Sequence, residues 1–189
     1  MDKRGYIFTD KNSIGVMTKK LPISPDTSYM LGIYRCNNSH VNIFLETSSR
    51  ELVERFIKIA VMELDTHQDA ITITDDGEIT SVEIKNSKLK KLLDAALDRR
   101  DQIFKYKNEY SASFFGAMFD CKGSVDKRGI FIRGVNAYEK IMLERIGFHT
   151  TTNGGRCYIR GNNEFLKFIV PFSIRAQVIT KQINEAKPR

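Results

Sequence analysis

The sequence contains no apolar run near the ~20 residues that a membrane-spanning helix needs, and no basic-then-apolar leader pattern opens it. A membrane-embedded or exported chain is therefore not expected. Cysteine is scarce. Cys36, Cys121 and Cys157 make an odd count with no CxxC pair, which argues against a disulfide framework or a zinc site and makes a reducing, cytoplasmic setting the expectation. His40, His67 and His149 have no metal-ligand spacing. Asn153-Gly154-Gly155 falls between two strand-like segments and reads as a hairpin turn, not a phosphate loop.

What is present begins with charge. The 189 residues carry a net +7, and its distribution is uneven. Residues 1–100 hold 15 Lys/Arg and 15 Asp/Glu, whereas residues 101–189 hold 15 and 8. All the excess positive charge lies in the C-terminal half, which points to a polyanionic partner; a role in solubility alone is the alternative. A length of 189 with 41% hydrophobic residues suits one compact domain, or two half-domains sharing a core.

Periodicity divides the chain into two rounds of elements. Residues 5–9 and 13–18 read as a hairpin around Asp10-Lys-Asn, and a turn follows at Pro22 to Pro25. Asp26, Thr27 or Ser28 can cap a short apolar helix over 29–36. A strand at 41–46 leads to a helix opened by Ser48 and Glu51 as a capping box and running to about residue 64. A hairpin turning at Asp76-Gly77 and a helix over 87–97 complete the first round. The second round repeats the order. Asn108 caps a helix to Cys121, with Gly123 as a left-handed cap. Strands at 124–128 and 130–134 follow, then a helix capped by Asn136 and Glu139, a hairpin at 150–160, and helices over 163–169 and 173–185. At an offset of 85 residues Gly32 recurs as Ala117, Cys36 as Cys121, Ser39 as Ser124 and Glu54 as Glu139. Shared element order with matching caps indicates an internal duplication.

The opening helix of each round carries small residues four apart, which share a face. Gly32 and Cys36 occupy the first, and Gly116-Ala117 and Cys121 the second. Such faces let two backbones approach closely. Glycine in a helix interior costs about 1 kcal/mol of propensity, so close packing of the two helices is the expected compensation.

Here the sequence resembles a known family. Phe115-Gly-Ala-Met-Phe-Asp-Cys-Lys-Gly123, followed by Ser124-Val125, is similar to the nine-residue signature of the LAGLIDADG homing endonucleases. Met30-Leu-Gly-Ile-Tyr-Arg-Cys-Asn-Asn38 resembles it less closely. Tyr110-Ser-Ala-Ser-Phe and the segment 137–148 also resemble the family, and the likeness covers about residues 25–172. It implies an α+β fold of two tandem pseudo-symmetric α-β-β-α-β-β-α halves, packed through the two small-residue helices and carrying curved antiparallel sheets. The halves would span 25–100 and 101–172, with an arm over 1–24 and a C-terminal helix and tail over 173–189.

In active members of the family, an acid at the eighth motif position of each helix holds divalent metal, which activates water for phosphodiester cleavage. Asn37 and Lys122 stand at those positions here. An ammonium about 4 Å from a dication at an effective dielectric near 20 is unfavourable by roughly 8 kcal/mol. No metal or other cofactor is therefore expected, magnesium entering only if nuclease activity survives. Asp120, with Asp126 nearby, is the residual candidate for such a site. Arg35 and Lys122 are expected to meet backbone phosphates by simple charge contact, or else to sit beside the last helix carbonyls.

Strand alternation sorts the second round's side chains. Arg156, Tyr158 and Arg160 face outward together, as do Phe131 and Arg133, with Lys127 and Arg128 at the turn. Basic residues interleaved with aromatics form a nucleic-acid signature; an ordinary solvated sheet face is the alternative. The matching face of the first round, with Asn42, Phe44, Glu46, Thr72, Thr74, Ser81, Glu83 and Lys85, is polar but not basic. Lys3, Arg4, Lys19 and Lys20 could add a basic arm. The expectation is a monomer binding DNA or RNA mainly through its C-terminal half, as a regulator or a maturase-like factor, with room for a protein partner on the neutral half. A metal-dependent endonuclease and an interaction protein keeping only the fold are the rivals.

Overall fold

Pro25 begins the first long helix, because its fixed φ suits the first helical position and its missing N–H has no partner there anyway. Ser24 caps it. The Thr27 N–H donates to Ser24 Oγ at 3.1 Å, and the Ser24 N–H donates to Thr27 Oγ1 at 2.9 Å. Helix α1 thus runs Pro25–Asn37, starting a turn before the expected Tyr29 and capped by Ser24, not by Asp26, Thr27 or Ser28. The computed structural model describes residues 6–7, 21–37 and 41–185. Strand β1 (Tyr6–Ile7) pairs antiparallel with β2 (Leu21–Pro22). The rest of the expected N-terminal hairpin, the four basic arm residues and Ser39 lie outside the described residues.

The first round continues with β3 (Ile43–Thr47), α2 (Arg50–Met62), β4 (Ile71–Asp75), β5 (Thr80–Ile84) and α3 (Ser87–Asp98). Ser49, one residue beyond the expected Ser48, caps α2 by accepting the Leu52 N–H at 3.3 Å. A short helix α4 (Arg100–Ile103), not foreseen, joins the rounds. The second comprises α5 (Glu109–Lys122), β6 (Gly123–Asp126), β7 (Gly129–Arg133), α6 (Ala137–Arg145), β8 (Thr150–Asn153), β9 (Arg156–Ile159) and α7 (Asn162–Ile169), with α8 (Ile174–Glu185) after it. Both expected caps of this round form, and both are reciprocal: Asn108 with Ser111, and Asn136 with Glu139.

The fold is α+β, as expected, with antiparallel sheets ordered β3-β5-β4 and β6-β7-β9-β8. Among the described residues, the first round has one strand where the second has the β6-β7 pair. Helices α1 and α5 run parallel through the middle. Ser113 Oγ donates to the Pro25 carbonyl at 2.5 Å at one end of the seam, and Lys122 Nζ donates to the Cys36 carbonyl at 2.6 Å at the other. Residues 27–34 and 111–120 are buried without a break, as befits helices covered on every side. Tyr29, Tyr34, Phe114, Phe115 and Phe119 are fully buried, and each buried aromatic of this kind contributes about 1.5–3 kcal/mol.

The small residues of the seam divide in role. A Cβ on Gly32 would overlap the Phe114 carbonyl oxygen and come within 2.7 Å of Ala117 Cβ. Gly116 does not share this contact. Its nearest neighbours are Ser173 and Phe172 at 3.4–3.6 Å, ahead of α8, so its assignment to the inter-helix face is corrected. Gly123 is corrected too. With φ −84° and ψ 155° it is extended and already belongs to β6. Glycine is required there because a Cβ would strike the Phe119 ring.

Candidate nucleic-acid interface and the helix seam

At the base of the paired helices, the eighth-position residues turn to backbone carbonyls. Asn37 Nδ2 donates to the Ile33 carbonyl at 2.9 Å within its own helix. Lys122 crosses the seam to the carbonyl of Cys36, where a cation is favourable beside a helix C-terminus. The Cys36 and Cys121 thiols meet beside it; the hydrogen bond with Cys36, and then burial, push the Cys121 thiol well above its ordinary value. Arg35 also crosses. Its Nε and Nη2 donate to the two Glu139 oxygens at 2.9 and 3.0 Å, and Nη2 reaches the Gly134 carbonyl at 3.3 Å. Arg100 Nε shares the same Glu139 oxygen at 2.8 Å, and the Asn136 N–H donates to the other. Burial pushes the Glu139 carboxyl up, but the hydrogen bonds from Arg35 and Asn136 and the charges of Arg35 and Arg100 outweigh it and hold the group below its ordinary value. Arg35 as a phosphate contact is therefore corrected, since Glu139 and the Gly134 carbonyl occupy its guanidinium, whereas exposed Lys122 takes the alternative place beside the last helix carbonyls.

Asp120 is corrected in the same way. It sits 4% exposed and accepts four bonds: from Tyr29 at 2.5 Å, Ser173 Oγ at 2.6 Å, and the N–H groups of Ile174 at 2.9 Å and Arg175 at 2.8 Å. A carboxylate taking the first amides of α8 completes that helix's N-terminus. Burial raises its pKa and these donors pull against it. The donor set near the helix ends does not fit a divalent metal. Asn37 and Lys122 bring no carboxylate, the Asp120 oxygens are filled by donors, and among the described residues no group of three or more His, Cys, Asp or Glu is placed to hold a metal ion.

The outer face of β6-β7-β9-β8 has a different character. The ladder sets Phe131 opposite Tyr158 and Arg133 opposite Arg156. Asp126 lies beside them at the end of β6. Its Oδ2 accepts from Arg156 Nη1 at 2.9 Å and from the Tyr158 hydroxyl at 2.8 Å, while Oδ1 accepts the Arg128 N–H at 2.8 Å. Partial desolvation raises its pKa, but the Arg128 N–H, Tyr158 and Arg156 together hold it below the ordinary carboxylate value. The Arg156 guanidinium lies 4.8 Å from the Phe131 ring centre and that of Arg133 6.0 Å. Phe131 and Tyr158 are thereby covered, at 4% and 8% exposure, with ring centres 5.5 Å apart. The arginines form the surface and the aromatics its floor. Lys127 and Arg128 are exposed beside this face, and Arg160 follows β9 exposed. An open depression lined by Asp126, Arg128, Asn153, Gly154, Arg156 and Tyr158 runs along it.

Among the described residues, the sheet of the first round carries no such cluster. On its outer face Asn42 Nδ2 donates to Glu83 at 2.8 Å, and Lys85 pairs with the same residue at 3.6 Å. The sequence had not revealed Asp126 as the anchor of Arg156 and Tyr158. The signal available was an Asp two residues before Arg128 at a strand end, the pattern of an Asx turn. The role of Glu139 between two arginines was also missed. Its repeat partner Glu54 is exposed and pairs with Arg50 at 2.9 Å.

Two parallel buried helices, each leading into an antiparallel sheet, define the LAGLIDADG homing-endonuclease fold, and comparison with solved structures supports it. The chain is similar to I-DmoI in complex with DNA and Ca, with a TM-score of 0.64 and 14% identity over 83% of this chain and 97% of that one. Mesophilic variants of the homing endonuclease I-DmoI match with a TM-score of 0.60 and 15% identity over 78% of this chain and 96% of theirs. An I-DmoI variant in complex with its target DNA in the presence of Mn matches at 0.61 and 15% over 78% and 94%. No family model matches the chain, and no curated protein does.

Proposed function

We propose that this protein binds duplex DNA through the outer face of β6-β7-β9-β8 and does not cleave it, acting as a DNA-binding regulator. The observation that carries the reading is the pairing of two features on one molecule. Arg133, Arg156, Arg160, Arg128 and Lys127 are carried by this sheet and its turns, with Asp126 paired to Arg156. Meanwhile the helix ends that would need acids carry Asn37 and Lys122, both bonded to carbonyls. A sheet surface of arginines suits the B-DNA major groove, which admits a β-ribbon. Solved complexes of I-DmoI with DNA add support for nucleic acid as the partner class. The neutral first sheet is left for weak contacts or for a protein partner, and the protein works as a monomer in the cytoplasm, at the nucleoid.

Gel-shift titration with duplex DNA at several salt concentrations tests the reading. Affinity should fall steeply with salt, as counterion release requires. Incubation with plasmid and Mg²⁺ or Mn²⁺ should leave the plasmid intact. Site-specific cleavage would return the protein to the endonucleases, and preferential binding of RNA would favour the maturase-like role.

A further inference from the structure

Resting on that reading, we propose that Arg156 reads a guanine at one fixed position of the DNA site and that Asp126 is the residue that positions it. The geometry separates Arg156 from every other cation on the face. Its guanidinium is held from the side by the Asp126 carboxylate at 2.9 Å and from beneath by the Phe131 ring at 4.8 Å. Asp126 is itself fixed by the Tyr158 hydroxyl and the Arg128 N–H. The side chain remains 46% exposed. A guanidinium carries five N–H donors in a rigid fork, so one edge rests on Asp126 while the rest stays open to a ligand. Guanine offers O6 and N7 side by side in the major groove, the acceptor pair that this fork fits.

The same carboxylate argues against a phosphate at Arg156. A phosphate oxygen approaching this guanidinium would meet the negative charge of Asp126 beside it, whereas the edge of a base carries no net charge. Phosphates are better served by Lys127, Arg128 and Arg160, whose side chains have no ion pair among the described residues. Arg133 faces Arg156 directly across the ladder, and like charges so placed repel. Among the described residues Asp126 pairs with Arg156 and not with Arg133, so the facing arginines leave the surface in want of an acceptor-rich partner. The aromatic floor argues against single strands, because Phe131 and Tyr158 lie under the arginines and offer no free ring face for base stacking. RNA duplexes are disfavoured because their deep, narrow major groove cannot be read by side chains.

Selection from a random-sequence duplex DNA library, followed by sequencing, tests the proposal with the wild-type protein and its Arg156→Ala, Asp126→Ala and Arg160→Ala variants. Circular dichroism checks that each is folded. The wild type should enrich guanine at one position. Arg156→Ala should erase that enrichment and weaken binding to the selected duplex about ten-fold to a hundred-fold, with the salt slope unchanged. Asp126→Ala should also lose the guanine but bind unselected duplex more tightly, because Arg156 becomes free to meet phosphates. Arg160→Ala should keep the guanine and reduce the salt slope by about 0.9. Retained guanine in Arg156→Ala, or a reduced salt slope with an unchanged sequence preference, overturns the base-reading role. Retained guanine in Asp126→Ala, or no gain in non-specific affinity, overturns the positioning role. A wild type that binds no duplex DNA, or binds single-stranded RNA instead, overturns the DNA-binding reading itself.

Discussion

Arg35 grips Glu139 with two bonds of 2.9 and 3.0 Å across the seam between the two rounds of the chain. Glu139 is fully buried, and Arg100 shares one of its oxygens. The carboxylate therefore joins the end of α1, the start of α6 and α4 at a single point, and it caps α6 as well.

Loss of this carboxylate should be severe. Glu139→Ala leaves two largely buried arginines without their carboxylate, and breaking a buried pair in this way costs about 3–5 kcal/mol. Urea unfolding should show a fall of that size, whereas Glu54→Ala, at the repeat-related position, should change stability by less than about 1 kcal/mol. An equal effect at both positions would contradict the burial assigned to Glu139.

The same group sets an acid limit. Its pKa is depressed in the folded state, so the stability it contributes is in force above the unfolded value, about 4.3 for glutamate, and is lost as pH falls through the folded value. Thermal melts from pH 6 downward should show Glu139→Gln losing less stability with acid than the wild type does. Parallel curves would exclude Glu139 as the titrating group.

Gly32 and Gly116 should respond in opposite directions to alanine. At Gly32 the added methyl collides with the Phe114 carbonyl and crowds Ala117, and overpacking of this kind costs typically about 1–3 kcal/mol. At Gly116 the methyl meets Ser173 at an ordinary 3.4 Å, leaving the propensity gain of up to about 1 kcal/mol to act. Differential scanning calorimetry of the two variants should give a lowered Tm for Gly32→Ala and an unchanged or raised one for Gly116→Ala.

Arg133 and Arg160 should act as phosphate contacts. Removing both should weaken binding to any duplex DNA and reduce the slope of log K against log salt by roughly 1.8, about 0.9 for each lost contact. Wild-type affinity in Arg133→Ala/Arg160→Ala, measured by fluorescence anisotropy, would mean that another face binds.

Asp120 should prove structural. Asp120→Ala strands the first amides of α8 and the Tyr29 and Ser173 hydroxyls in a buried setting, where each unsatisfied group costs about 1–3 kcal/mol. A stability loss of at least about 3 kcal/mol is expected, with faster hydrogen exchange in α8. A variant that unfolds like the wild type would remove that role.

Much of this was legible in sequence, because it depends on residues close together in the chain. The reciprocal caps at Asn108 and Asn136, the hairpin at Asn153-Gly154-Gly155 and the small-residue motifs of α1 and α5 are local patterns with local causes. So was the absence of acids at Asn37 and Lys122, a matter of residue type alone. What the sequence could not supply was which long-range partner each charge meets. Arg35 and Lys122 read as phosphate contacts or as cations beside the helix carbonyls until the second round brought Glu139 to one and the first round brought the Cys36 carbonyl to the other. Asp120 read as a surviving acid until α8 folded back and placed two amides on it. Gly116 read as a seam residue because sequence spacing gives a helix face but not the neighbour that the face meets. The outward set of Arg133, Arg156 and Tyr158 follows from strand alternation, but Asp126 became its anchor only when sheet register placed β6 beside β7, one strand away from β9. Local pattern fixes element type and charge inventory; the tertiary structure decides which charges are neutralised inside and which remain for a partner, because ion pairing depends on distances of a few ångströms between residues as many as 104 positions apart.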